Sequence, residues 1–216
     1  MNTRTAAMSA KPSRKGRGSI LMAGAVVVLL AVMAWDTKLM PIEADAEGEG
    51  SKLAQFAEET FPEIRDDVEA RAVGVGELAS ALDEDRSAAG ERYGVPAGIG
   101  PIIPVTVSGV VGEGSSGTYV IETDAAPGDL TIRVQTGPAI NGTVLRDATG
   151  EIEFGQFKNQ IEYQNAGAAL NDAMKAQVLA GLDREALEGK NVTVTGVFQL
   201  INPANWLITP VAFDVQ

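Results

Sequence analysis

The chain has 216 residues, a net charge of −12 and 45% hydrophobic residues, with neither cysteine nor histidine. Without cysteine there is no disulfide, thiolate chemistry or cysteine-borne lipid, and without histidine the commonest general base and most zinc sites are gone. Only carboxylate or lysine catalysis is left, so no enzyme activity, metal or cofactor is expected, and so acidic a chain repels nucleic acid.

The first acid comes only after five cations, Arg4, Lys11, Arg14, Lys15 and Arg17, so residues 1–18 read as a basic cytoplasmic tail. Ser19 to Trp35, SILMAGAVVVLLAVMAW, follows as 17 uncharged residues. As a helix it would extend about 25 Å, enough to span a bilayer. Acids at 36, 43, 45, 47 and 49 succeed it, and this asymmetry places the N-terminus in the cytoplasm and the rest in the periplasm of a bacterial cell. Residues 19–35 are thus expected to hold the chain in the inner membrane as a single-pass anchor. A cleaved signal peptide, cut after Val32-Met33-Ala34 to release a soluble periplasmic domain, and a buried core helix are the alternatives.

Residues 36–50 read as an acidic linker, extended over EADAEGEG (43–50), and residues 51–94 as a helical layer. Ser51 is placed as the cap of a helix presenting Leu53, Phe56 and Ala57, with a second helix beginning at Pro62 and carrying Ile64, Val68 and Ala72. Short helices follow over 77–82 and 87–93, the latter closed by Gly94.

From residue 95 the period changes from helical to two. VTVSGVV (105–111), TYVIETD (118–124) and LTIRVQT (130–136) alternate as three strands, joined by turns at 112–117 and 125–129. Tyr163, Ala166, Gly167, Leu170, Met174, Val178 and Leu182 recur at helical steps, with Asn165 as the expected cap and Gly181 as the end. NVTVTGVFQL (191–200) and NWLITPVAFDV (205–215) supply two more strands across an Asn202-Pro203 turn.

Three strands, a helix and two strands is the order of the OB-fold. The fold class expected is therefore α+β: an OB-like five-stranded antiparallel β-barrel over 95–216, its helix between strands three and four, preceded by the helical layer and a single transmembrane helix. Gly109 and Gly196 fall inside the first and fourth strands, where a small barrel must bend. A simple α+β sandwich is the alternative.

Polar groups concentrate between Gln135 and Tyr163: Asn141, Thr143, Arg146, Asp147, Asn159, Gln160 and Glu162. Amides, hydroxyls, carboxylates and a guanidinium beside aromatics suit a ligand of many hydroxyls, since each hydroxyl donates and accepts. The same residues can instead tie a loop to the barrel by satisfying backbone groups. The carboxylate pairs Glu151/Glu153 and Asp66/Asp67 match neither a glycosidase pair nor a calcium loop, and Trp206 and Phe198 read as core.

KLMPIEA (38–44), SAAGERYG (87–94), QTGPAINGTVLRDA (135–148), IEFGQFKNQIEY (152–163) and LITPV (207–211) together resemble the predicted periplasmic lipoproteins of domain of unknown function 2291, from about Lys38 to the C-terminus. Most members carry a lipid-attachment cysteine just before the K-x-x-P-I motif, where this chain has Thr37. The family lies beside ABC transporters for ribose-like sugars and has no established activity. The resemblance therefore implies a periplasmic accessory protein with sugar ABC transporter components as partners. A soluble-ligand sensor and a carboxylate-dependent hydrolase are the alternative readings.

Overall fold

The structure, a computed structural model, describes residues 42–216, and the apolar stretch 19–35 lies outside them. Helix α1 (Ile42–Arg71) runs through residues 43–50 of the expected linker and through Pro62. Residues 43–50 are thus helical rather than extended, because Glu and Ala are good helix formers and acids near a helix N-terminus are stabilised by its dipole. A proline inside a helix costs about 3 kcal/mol. Phe61, Ile64 and Val68 are fully buried on one stripe with Ala57. At roughly 1.5–3 kcal/mol for each large side chain, that burial outweighs the broken bond and keeps one helix where two were expected.

After α1 come a two-residue strand β1 (Val73–Gly74) and helices α2 (Val75–Glu84) and α3 (Arg86–Tyr93). Asp85 caps α3 by accepting from the N–H groups of Ser87 and Ala88, and Gly94 ends it. The main strands are β2 (Ile102–Ser115), β3 (Thr118–Glu122), β4 (Thr131–Gln135), β5 (Asn191–Gln199) and β6 (Asn205–Val215). A helical turn α4 (Val144–Asp147) and helix α5 (Gln160–Met174) lie between β4 and β5. A π-helical turn extends α5 from Lys175 to Leu179.

The sheet has six strands in the order β1-β2-β3-β4-β6-β5, and a further β2–β5 pairing links the last strand back to the second. Two pairings are parallel, β1–β2 and β4–β6, so the expectation of five antiparallel strands needs correcting on both counts. Strand β1 is too short to show an alternating pattern. The parallel pair arises because the α4–α5 crossover returns the chain to β5, and β6 then runs alongside β4.

Glu47–Gln216 forms one compact unit with two apolar clusters. Val105, Val107, Ile132, Val134, Val194, Phe198, Trp206 and Ile208 fill the first, together with Leu78 and Leu82 of α2. The second packs α1 and α5 against the sheet through Phe61, Ile64, Leu170, Met174, Ile102 and Val197. Both faces of β2 are therefore covered at its start, which is why Ile102 to Val105 read as an unbroken buried run.

Gly196 sits where the β5–β6 register shifts, between Thr195 and Gly196. A Cβ there would collide with the Thr209 carbonyl oxygen and lie 2.9 Å from Pro210 Cα. These two backbone atoms cannot give way as the nearby Ile208 methyl can, so Gly196→Ala should destabilise the fold by about 1–3 kcal/mol in urea unfolding. Gly181→Ala, with open space at its Cβ, is the matched control.

Candidate functional site

The segment after β4 is held by side chains that reach back into the sheet. Buried Gln135 accepts from the Asn141 N–H at 2.9 Å, donates to the Asn141 carbonyl at 3.2 Å and donates to Thr209 Oγ1 at 2.9 Å. Asn171, on the inner side of α5, donates to the Gly142 carbonyl at 2.9 Å. Gly142 has φ +93°, a left-handed conformation that suits glycine. These two amides fix where α4 begins.

The turn α4 then lays Arg146 beside the first turn of α5. Its Nε and Nη2 donate to the two carboxylate oxygens of Asp147 at 2.7 and 2.9 Å, a bidentate fork. Nη2 also donates to Thr143 Oγ1 at 3.3 Å and Nη1 to the Tyr163 carbonyl at 3.2 Å. The guanidinium carbon stands 3.6 Å from the centroid of the Tyr163 ring, a cation–π contact. Thr143 and the Tyr163 hydroxyl both donate to Asp147, at 3.1 and 3.3 Å. Tyr163 in turn touches Phe154 and Phe157, and Phe157 meets Phe56 of α1 edge-on.

Burial first, and the Asp147 charge second, push the Tyr163 phenol above its ordinary value of 10.0. A folded-state pKa raised above the unfolded one contributes stability below about pH 10 and loses it as the pH climbs through the folded value.

Of the residues singled out in the sequence, Thr143, Arg146 and Asp147 come together, and Tyr163 completes their cluster. Asn141 points an exposed side chain outward, and its backbone is what the fold uses. Asn159, Gln160 and Glu162 belong to a different local structure, the start of α5. Asn159 Oδ1 accepts from the Glu162 N–H at 2.9 Å, and Glu162 Oε2 accepts from the Lys158 N–H at 2.6 Å. The cap is therefore Asn159 and not Asn165, six residues earlier, and the helix begins at Gln160, three residues before the apolar spacing that starts at Tyr163.

Arg146 donates through all three of its nitrogens within the cluster, and both oxygens of Asp147 accept there. The arrangement is built to hold α4 against α5. Clefts of about 650, 590 and 500 Å³ open elsewhere among the described residues, and none of the seven predicted site residues lines them. Sequence reasoning missed Gln135, Asn171 and Thr209. The available signal was Asn171, an amide between Leu170 and Met174 on a helix face that is otherwise apolar and buried.

Among the described residues no group of acids is placed to hold a metal ion, and no helix is long and apolar enough to cross a membrane. No curated protein matches the chain. A crystal structure of an OB-fold protein from Thermotoga maritima MSB8 is similar in fold, with a TM-score of 0.60 at 17% identity, covering 76% of this chain and 98% of that one. A family model described as a predicted periplasmic lipoprotein (DUF2291) matches residues 25–214, and the chain belongs to that family.

Proposed function

We propose that this chain is a membrane-tethered periplasmic accessory protein whose OB-type barrel binds a partner protein or small ligand beside a simple-sugar ABC transporter. What carries the non-catalytic part of this reading is the closed bonding of the Arg146 cluster. The QTGPAINGTVLRDA block spends its polar groups on one another, as a scaffold requires, whereas a catalytic site keeps a nucleophile, acid or base directed at the space a substrate occupies. The two carboxylates of the hydrolase reading, Glu151 and Glu153, are both exposed.

For the tether, the basic tail and the apolar run at 19–35 supply the signal. None of the 216 residues is a cysteine, so a lipid on a cysteine side chain is not an option for this chain. The transporter association comes from the family resemblance alone. Its test is affinity purification of the tagged full chain from native membranes in mild detergent, against an unrelated single-pass protein with the same tag. Enrichment of a sugar-transporter permease or its binding protein is the expected result. Recovery of the tagged chain without any transporter component contradicts it.

A further inference from the structure

Strand β4 alternates Ile132 and Val134 into the core and turns Arg133 onto the outer face of the sheet. The register places Arg133 directly between Val120 of β3 and Leu207 of β6. Leu207 is one of the large apolar side chains that the surface leaves exposed, and Val120 is half-buried. Thr131 and Asn205, both exposed, adjoin this row.

Several other guanidiniums in this domain have anionic or carbonyl partners: Arg71 pairs with Asp67, Arg146 with Asp147, and Arg184 donates to the Thr136 carbonyl, while Arg92 lies over the Tyr93 ring. Arg133 is different. Its Nη2 donates to the amide oxygen of Asn205 at 2.9 Å, while its Nε is enclosed without a partner. Among the described residues no carboxylate lies within ion-pairing distance of it. In a chain with 29 acids and 17 bases, a guanidinium with no carboxylate beside it and an enclosed Nε that donates to nothing leaves its charge uncompensated on the sheet.

We propose that Arg133 is the anchor of a binding site for a carboxylate borne on an apolar group, seated on the outer face of β3, β4 and β6. The planar fork of arginine matches a carboxylate, and Val120 and Leu207 offer apolar ground on either side for the rest of the ligand. A single negative charge fits best. One guanidinium balances it, whereas a phosphate dianion would add uncompensated charge to a domain already strongly acidic. Asn205 can donate its amide N–H to the same group. In OB-folds the face of the second and third barrel strands, here β3 and β4, is one that binds oligonucleotides and oligosaccharides, so this face is open to ligands in the fold. The site does not depend on the transporter reading above.

The carboxylate has two possible sources, a free aliphatic acid or the C-terminus of a polypeptide ending in an apolar residue, and one titration separates them. The enclosed Nε–H of Arg133 exchanges slowly with water and gives its own nitrogen–proton signal in the full chain, labelled at arginine and held in nonionic micelles. Arg133→Lys identifies that signal by its loss. Isovalerate, its neutral match isovaleramide, a peptide ending in free leucine, its C-terminal amide and inorganic phosphate are the probes.

A saturable shift with isovalerate supports the site and a free acid. A shift with the free-leucine peptide but not isovalerate supports the site and a polypeptide terminus. In either case Leu207→Ser, which leaves Arg133 in place, should weaken binding about tenfold or more. No shift with either carboxylate, an equal shift with the amides, or an equal shift with phosphate overturns the proposal.

Discussion

Arg146→Ala should lower the unfolding free energy by about 3 kcal/mol, measured by urea denaturation, without creating or abolishing any binding. Removing one member of a buried ion pair costs about 3–5 kcal/mol because the other charge is left without its partner. The Arg146 side chain is 9% exposed and that of Asp147 22%, so water reaches the abandoned carboxylate in part and the lower end of the range applies. The substitution also strips the packing from Tyr163 and frees the Tyr163 and Thr143 contacts. Arg146→Lys keeps the charge and loses the fork and the stacking, so it should recover only part of the loss. A stability unchanged within about 0.5 kcal/mol would mean that the cluster is not the tie between α4 and α5.

Trp206→Ala should cost as much or more, about 3–5 kcal/mol, since it deletes the largest fully buried side chain in the domain. Its ring is stacked on Phe198 with centroids 4.6 Å apart and planes 15° from parallel, and its Nε1 donates to the Pro203 carbonyl at 2.9 Å. Truncation therefore opens a cavity in the first core, unsupports Phe198 and loosens the β5–β6 turn. Trp206→Phe keeps most of the stacking and should lose about 1–2 kcal/mol. Circular dichroism is the appropriate probe, because Trp35 would be the one tryptophan left to fluoresce.

Much of this architecture is written in local pattern. Val105, Val107 and Val111, then Ile132 and Val134, alternate because one face of each strand is core, and the strand at 205–215 falls where its composition puts it. Features decided by tertiary contact are not legible in that way. Pro62 reads as a helix start, yet burial of the residues around it carries α1 straight through. Strand β1 exists only because β2 offers it an edge, and no periodicity can announce two residues. The cap of α5 is a different case. Asn159 with Glu162 three residues on is a recognisable capping pattern, and the apolar spacing that begins at Tyr163 drew attention past it.

The polar block shows the same division. Composition gathers Asn141, Thr143, Arg146, Asp147, Asn159, Gln160 and Glu162 as one polar block, and of these Thr143, Arg146 and Asp147 are neighbours, joined by Tyr163. Composition does not tell whether such groups face a ligand or each other, because that depends on how α4 meets α5. Arg133 passes unnoticed for the opposite reason. A single basic residue in an alternating strand is ordinary, and only the register, with Val120 and Leu207 on its flanks, makes its isolation visible.

Placement of the folded domain on the periplasmic side underlies the whole functional account, and the absence of native cysteine makes it directly measurable. Ser80 is exposed on α2, and a cysteine introduced there gives a single reactive thiol. The account predicts that a membrane-impermeant maleimide labels Ser80→Cys in intact spheroplasts, while Ser9→Cys in the basic tail reacts only after lysis. Ser80→Cys protected until the inner membrane is broken would contradict it.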